Sequence, residues 1–328
     1  AGAIGYLVGT AGEGLQCMFH MMNEARIAVG AAAAAIGMAG FEASLEYARN
    51  RRQGRKPGPG GKDIGAPPVR IIEHADVRRM LLAQKAYAEG ALALVLYCAR
   101  LVDEKATGTP DSARKASMLL EILTPIAKSW PSEWCLEANS LAIQVHGGYG
   151  YTRDYPVEQF WRDNRLNMIH EGTHGIHGLD LLGRKMRMQD GAAFAALSER
   201  VHATVAAAQK VGSLSLDAKA LSEAFEDLER AAHAAWAVGD PHAALANATP
   251  FLQAFGHAVV AWLWLDVALA AEAALRENAA ADRDPLRGKL QSARYFFDFE
   301  LPRIDAWLGV VRSQNQTCAE TAEEWLTP

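Results

Sequence analysis

Apolar residues recur at helical spacing along most of the chain, and runs that alternate with period two are scarce. Leu15, Met18, Met22, Ala25, Val29, Ile36, Ala39 and Leu45 predict one long helix over 15–50. The alanines from Ala31 to Ala35 favour helix and allow another helix to come close. Breakers in the segment 54–61 end it. A second helix is predicted from His74 or Asp76 to Glu104 and a third from Ser112 to Val145, disturbed at Pro125 and Pro131. A Gly-rich turn follows at 146–151, then a helix from Pro156 and a further segment from Glu171 to Arg187. Later helices are predicted at 192–216, 219–238, 247–277 and 286–312.

This order predicts an all-α chain: an up-and-down four-helix bundle followed by an additional helical domain. Residues 1–190 carry 22 Lys and Arg against 20 Asp and Glu, whereas the rest carries 11 against 18. That shift in charge places the boundary near 190, giving a bundle over 15–190 and a second unit over 191–328. Residues 1–14, with Ala1–Gly9 read as the tail of a strand and turn, are expected to be the remnant of a preceding β-domain.

With 50% apolar and 22% charged residues among 328, the chain reads as globular. The net charge of −5 gives no basic footprint for nucleic acid. The apolar stretches are broken by Glu or Arg, against an integral membrane segment. Cys17, Cys98, Cys135 and Cys318 fit no zinc or CxxC spacing, and a reducing, cytoplasmic setting is expected. His170, His174 and His177 lack a Cys or Asp at metal spacing, so no metal is assigned to them.

The densest group of unusual residues is His146–His177. Its glycines let a backbone approach a ligand and free N–H groups for anionic oxygens. Glu171 stands at a helix boundary, where it is either a charge at a helix start or, in an apolar cleft, a base of raised pKa. Arg26 lies within an apolar stretch and must be paired or face a cleft. Arg49, Arg51, Arg52, Arg55 and Lys56 complement a helix C-terminus or form a phosphate site.

Four ordered segments, MMNEARIAVG at 21–30, YARNRRQGR at 47–55, QVHGGYGYTRDYPVEQFWRD at 144–163 and IHEGTHGIH at 169–177, resemble the acyl-CoA dehydrogenase family. The resemblance covers residues 1–187 and places the chain as a C-terminal portion of a larger member, without the N-terminal domain and most of the β-domain. It implies FAD as cofactor, an acyl-CoA substrate and a trans-2-enoyl-CoA product. Glu171 takes the position of the base that removes the α-proton while a hydride passes to the flavin, and Arg26 matches an arginine near that base. Arg51 and Gln53 match residues on the FAD pyrophosphate and ribose, commonly those of the adjacent subunit. Gln144, Gly147 and Gly148 match the loop that holds the adenosine part across a dimer interface, and Thr173 matches a threonine on an FAD phosphate.

The family further implies a homo-oligomer, dimer or dimer of dimers, and an acceptor such as an electron-transfer flavoprotein. The sequence departs from the family pattern at Gly175, where a Gln is frequent, and at His146 and His170, where Phe and Tyr are frequent. An acyl-CoA oxidase, a non-catalytic scaffold and a DNA-associated relative are the rival readings. Aromatic residues such as Phe251, Phe255, Trp262, Phe296, Phe299 and Trp307 are expected in the core or at subunit contacts.

Overall fold

The computed structural model describes residues 2–58, 61–62, 65–237, 239–277 and 283–327. Helices dominate, and the strands among these residues are one two-residue antiparallel pair, Pro57–Gly58 with Gly61–Lys62. Residues 2–8 are irregular and exposed, so the expected strand tail has no strand there.

The first three helices are long: α1 (Gly14–Asn50), α2 (Ala75–Thr107) and α3 (Pro110–His146). Thr109 caps α3, its hydroxyl accepting from the Ser112 N–H, and Pro110 starts the helix where no N–H is needed. Pro125 and Pro131 do not interrupt α3, contrary to the sequence expectation. Pro131 cannot donate to the Ala127 carbonyl. That carbonyl faces Gly30 of α1 so closely that a Cβ at residue 30 would lie 1.9 Å from it. Further along the same pair of helices, Gly37 meets Cys135 and Gly40 meets Asn139. The three contacts run in the same direction on both helices, so α1 and α3 are parallel and nearly touch backbones.

α2 returns antiparallel, packed alongside both, and α4 (Val157–Asn167) runs down against α1 and α3 to complete the bundle. A 3-10 turn at Gly147–Tyr151 forms the glycine-rich corner. Beyond it come α5 (His174–Asp180), a π turn at Leu181–Lys185, α6 (Ala192–Ala208), α7 (Ser215–Trp236), the short α8 (Pro241–Leu245) and α9 (Ala248–Glu277). The last part is α10 (Arg283–Tyr295), a π turn at Phe296–Glu300, a 3-10 turn at Leu301–Arg303 and α11 (Ile304–Arg312). The single helix expected over 286–312 is thus broken. Pro302 has no N–H for the Asp298 carbonyl, and its ring crowds the preceding turn.

α1 and α9 are both apolar and long enough to cross a bilayer by composition. In the fold α9 is a core helix. Phe251, Phe255, Trp262 and Trp264 are buried on it. Trp264 Nε1 donates to the Ala86 carbonyl of α2, and Trp262 Nε1 to Thr204 Oγ1 of α6. Apolar surface all round is what a helix enclosed by neighbours needs. The core runs without a break across residue 190: Trp130 and Trp134 of α3 pack with His257, Phe296 and Trp307. The composition changes near 190, and the packed interior does not. Phe299 is exposed, unlike the other core aromatics.

The α1–α3 contact yields an opposed pair of expectations. By helix propensity alone, Gly30→Ala stabilises α1 by about 1 kcal/mol. The approach of the Ala127 carbonyl predicts instead a loss of about 1–3 kcal/mol, as for overpacked cores. Thermal unfolding of the full-length variant reads the sign, with Ala31→Gly, at an exposed position of the same helix, as the reference for propensity.

Candidate functional site

The chain places its sequence-marked residues at two ends of the α1–α3 pair. At one end, Arg26 of α1 is buried, with 8% of its surface exposed. Its Nη1 lies 3.9 Å from Asp180 Oδ2 at the end of α5, and its Nε has no hydrogen-bond partner. The alternatives of pairing and cleft therefore meet in one residue, since the pairing is long and a donor is left over.

Glu171 and Gly172 form the turn that enters α5. Both have positive φ, 55° and 102°. For a non-glycine residue the left-handed region costs on the order of 1–2 kcal/mol, so Glu171 is held there by its surroundings. Glycine is required at 172, where a Cβ would also fall 2.8 Å from His177 Nε2. The Glu171 side chain is half-buried.

Two devices hold the turn. The first is a chain of amides rising from the bundle. Asn139 Nδ2 donates to the Ile36 carbonyl (3.0 Å), and Asn164 Nδ2 to Asn139 Oδ1 (2.7 Å). Asn167 Nδ2 then donates to Asn164 Oδ1 (2.9 Å), and His170 Nε2 to Asn167 Oδ1 (3.0 Å). The second is Lys128 of α3, fully buried, whose ammonium donates to the Gly172 carbonyl. Burial, then repulsion from Arg26, pushes the Lys128 ammonium down to about 8, while Glu171 acts to raise it.

Sequence reasoning missed Lys128 and the asparagines. The one signal was a lysine between two prolines on a helix that is otherwise apolar there. His174 and His177 are held neutral, pushed down to about 4 and about 3, chiefly by burial and then by nearby cations. Neither ring has a partner for its buried nitrogens. Among the described residues no group of three His, Cys, Asp or Glu side chains is placed to hold a metal ion.

At the other end, Arg51 caps the C-terminus of α1 and Gln53 follows it. Arg51 Nη2 donates to Gln53 Oε1 (3.4 Å), and both side chains are exposed. The backbone there is fixed by Gln53 N–H to the Val69 carbonyl (2.9 Å) and Ile71 N–H to the Arg51 carbonyl (2.8 Å). The rest of the basic cluster is partly used up. Lys56 pairs with Glu73 (2.8 Å), Arg52 donates to the Pro68 carbonyl (3.3 Å) and Arg55 to the Ala66 carbonyl.

Gln144, Gly147 and Gly148 adjoin this corner and are exposed. A Cβ at either glycine would meet nothing within 4 Å, so their backbone faces open space. Tyr47, His146, Tyr149 and Tyr155 form an aromatic floor, with Tyr47 stacked on His146 at 4.3 Å and the Arg51 guanidinium 5.8 Å from the Tyr149 ring centre.

From Arg26 to Asn50 at 1.5 Å per residue, α1 carries these ends about 36 Å apart. Glu171, Arg26 and Thr173 come together, as do Arg51, Gln53, Gln144, Gly147 and Gly148. One chain does not bring the two sets to a common point.

The family model described as "Acyl-CoA dehydrogenase, C-terminal domain" matches residues 12–186, and that described as "Acetyl-CoA dehydrogenase C-terminal like" matches 197–322. The 3-methylmercaptopropionyl-CoA dehydrogenase of Ruegeria pomeroyi is 37% identical over 302 residues, 90% of this chain and 50% of that protein. The broad-specificity linear acyl-CoA dehydrogenase FadE5 of Mycobacterium tuberculosis is 32% identical over 98% of this chain and 54% of its own length. An acyl-CoA dehydrogenase from Bacillus anthracis, solved in complex with FAD, shares the fold with a TM-score of 0.70 at 20% identity, covering 92% of this chain and 50% of that one. The chain spans about half the length of the curated relatives it matches.

The buried histidines give a sign that can be measured. In the unfolded chain both return to about 6.5. Between that value and about 4 the unfolded state binds more protons, so stability falls as pH falls through this window. His146 and His257, also lowered by burial, act in the same direction. Denaturant midpoints of the full-length protein from pH 7 to pH 5 are expected to fall, and His177→Gln is expected to flatten the slope. The two matching family models and the relative 37% identical over 90% of the chain lead to one conclusion: the chain belongs to the acyl-CoA dehydrogenase family.

Proposed function

We propose that the full-length protein catalyses FAD-dependent α,β-dehydrogenation of an acyl-CoA thioester to a trans-2-enoyl-CoA, with Glu171 as base. The observation that carries this reading is the placement of Glu171: a half-buried carboxylate in a strained left-handed turn, held from α3 and α4, beside the buried Arg26. A carboxylate so fixed can meet a substrate α-carbon without reorganising, which is what efficient proton abstraction requires. Support for the substrate class comes from the relatives, named as dehydrogenases of acyl-CoA thioesters.

The exposed residues fit FAD. Thr173 makes no capping hydrogen bond and is exposed, leaving its hydroxyl for a phosphate oxygen. Arg51 and Gln53 offer a fork and an amide, and Gly147 and Gly148 leave room for close approach. FAD, when bound, supplies the two-electron acceptor for the β-hydride. Glu171 takes the α-proton on a carboxylate oxygen. Arg26 keeps positive charge beneath the turn. Gly175, open to solvent, contributes no side chain.

Because the two sets of residues lie about 36 Å apart on α1, a homo-oligomer in which each site draws on two copies fits this reading. An electron-transfer flavoprotein or a similar carrier is the proposed acceptor. The four free cysteines fit a reducing, cytoplasmic setting.

The test uses the full-length protein with acyl-CoAs of several chain lengths, an artificial electron acceptor and, separately, oxygen. Glu171→Gln is expected to keep FAD and to lose turnover by roughly 10²–10⁴-fold, the usual worth of a positioned base. An unchanged rate in a variant that keeps FAD removes Glu171 as the base.

A further inference from the structure

We propose that Lys128 is a positioning residue for this reaction: by donating its ammonium from α3 to the Gly172 carbonyl, it holds Glu171 in the left-handed conformation that aims its carboxylate. The inference rests on the reading of Glu171 as the base. It assigns to a residue outside the recognised motifs the task of fixing where that base points.

Three observations converge on Lys128. Its side chain is 0% exposed, in a position where a lysine is costly to bury. Its hydrogen-bond partner is the carbonyl of the residue next to Glu171, reached across 44 positions of sequence. The turn it grips is strained at both residues, so the grip opposes relaxation to ordinary backbone angles.

The opposite side of the turn is tied through His170 to the amide chain, which ends on Asn167 and does not reach Gly172. Lys128 is therefore the anchor on the α3 side. Removing it leaves the Gly172 carbonyl without that donor and frees the Glu171 peptide to rotate.

The groups around the ammonium are Arg26 from α1, Glu171 and Gly172 from the turn, and His174 and His177 from α5. Arg165 of α4 acts on His174, and Asp180 acts on His177 and pairs with Arg26. Both histidines stay neutral through the working range. Lys128 is thus the cation of this group that changes charge near pH 8. As pH rises through that value its grip weakens from a charged to a neutral donor.

The experiment compares wild type, Lys128→Met and Glu171→Gln in the full-length, FAD-loaded enzyme. Lys128→Met is expected to lower kcat by about 10–100-fold, the scale of a misplaced catalytic group, with KM changed less than about threefold. It is also expected to raise the isotope effect with α-deuterated substrate and to remove the fall in kcat above pH 8. A Lys128→Met enzyme that keeps kcat and the isotope effect of wild type, while Glu171→Gln is inactive, overturns the inference. If Glu171→Gln itself stays active, it is the reading of the base that fails. Should Lys128→Met not load FAD, Lys128→Arg decides: a pH profile flat through 8 supports the inference, and an unchanged limb near 8 overturns it.

Discussion

The near-contact of α1 and α3 is the constraint on which the site depends. Gly30, Gly37 and Gly40 remove side chains where Ala127, Cys135 and Asn139 press in, and the two helices run parallel at a separation where a Cβ at any of the three would force a neighbour to shift. The register of that contact sets the site. With Gly30 opposite Ala127 on parallel helices, Arg26 of α1 and Lys128 of α3 start about 7.5 Å apart along the axes, close enough for their long side chains to act on each other and on His177. Both cations then lie beneath the turn that carries Glu171. The proline that releases the Ala127 carbonyl, Pro131, belongs to the same arrangement, because the freed carbonyl is what α1 approaches.

A rigid pair of helices has a second consequence. Whatever stands at one end is held at a fixed distance from whatever stands at the other. Here the half-buried, strained turn of Glu171 lies at one end, and the open, basic corner of Arg51, Gln53 and Gly147 at the other. The ends differ in chemistry as well as in place. One is desolvated, with neutral histidines and a lysine of lowered affinity for its proton. The other is exposed, floored with aromatic rings and furnished with donors. The proposed function gives the first to proton abstraction and the second to the anionic part of a dinucleotide held by a neighbouring copy.

Much of the fold was legible in the sequence because amphipathic periodicity and breakers act locally. The bounds of α1, the start of α2 and the span of α9 follow from them. Pro125 and Pro131 misled, since their effect depends on whether the neighbouring helix tolerates the freed carbonyls, a tertiary matter. Pro302 misled in the opposite sense, and the helix expected through it is split. The shift in charge at residue 190 was legible, while the continuity of the core across it was not, because the aromatic contacts of Trp130 and Trp134 with His257, Phe296 and Trp307 join distant segments. In the site, Glu171 and Arg26 were legible through their odd settings and the family pattern. Lys128 and the asparagines were not, since nothing local marks a lysine that bonds to a carbonyl 44 residues away.

The central claim is that a working site joins the Glu171 end of one copy to the Arg51 end of another. The most direct measurement is subunit complementation with the full-length protein: Glu171→Gln and Arg51→Glu chains, each inactive alone, are co-expressed with different tags and the mixed oligomers isolated. The account predicts recovered turnover, because one site in a mixed pair then combines an intact Glu171 with an intact Arg51 from its neighbour. Mixed oligomers that remain as inactive as their parents contradict it.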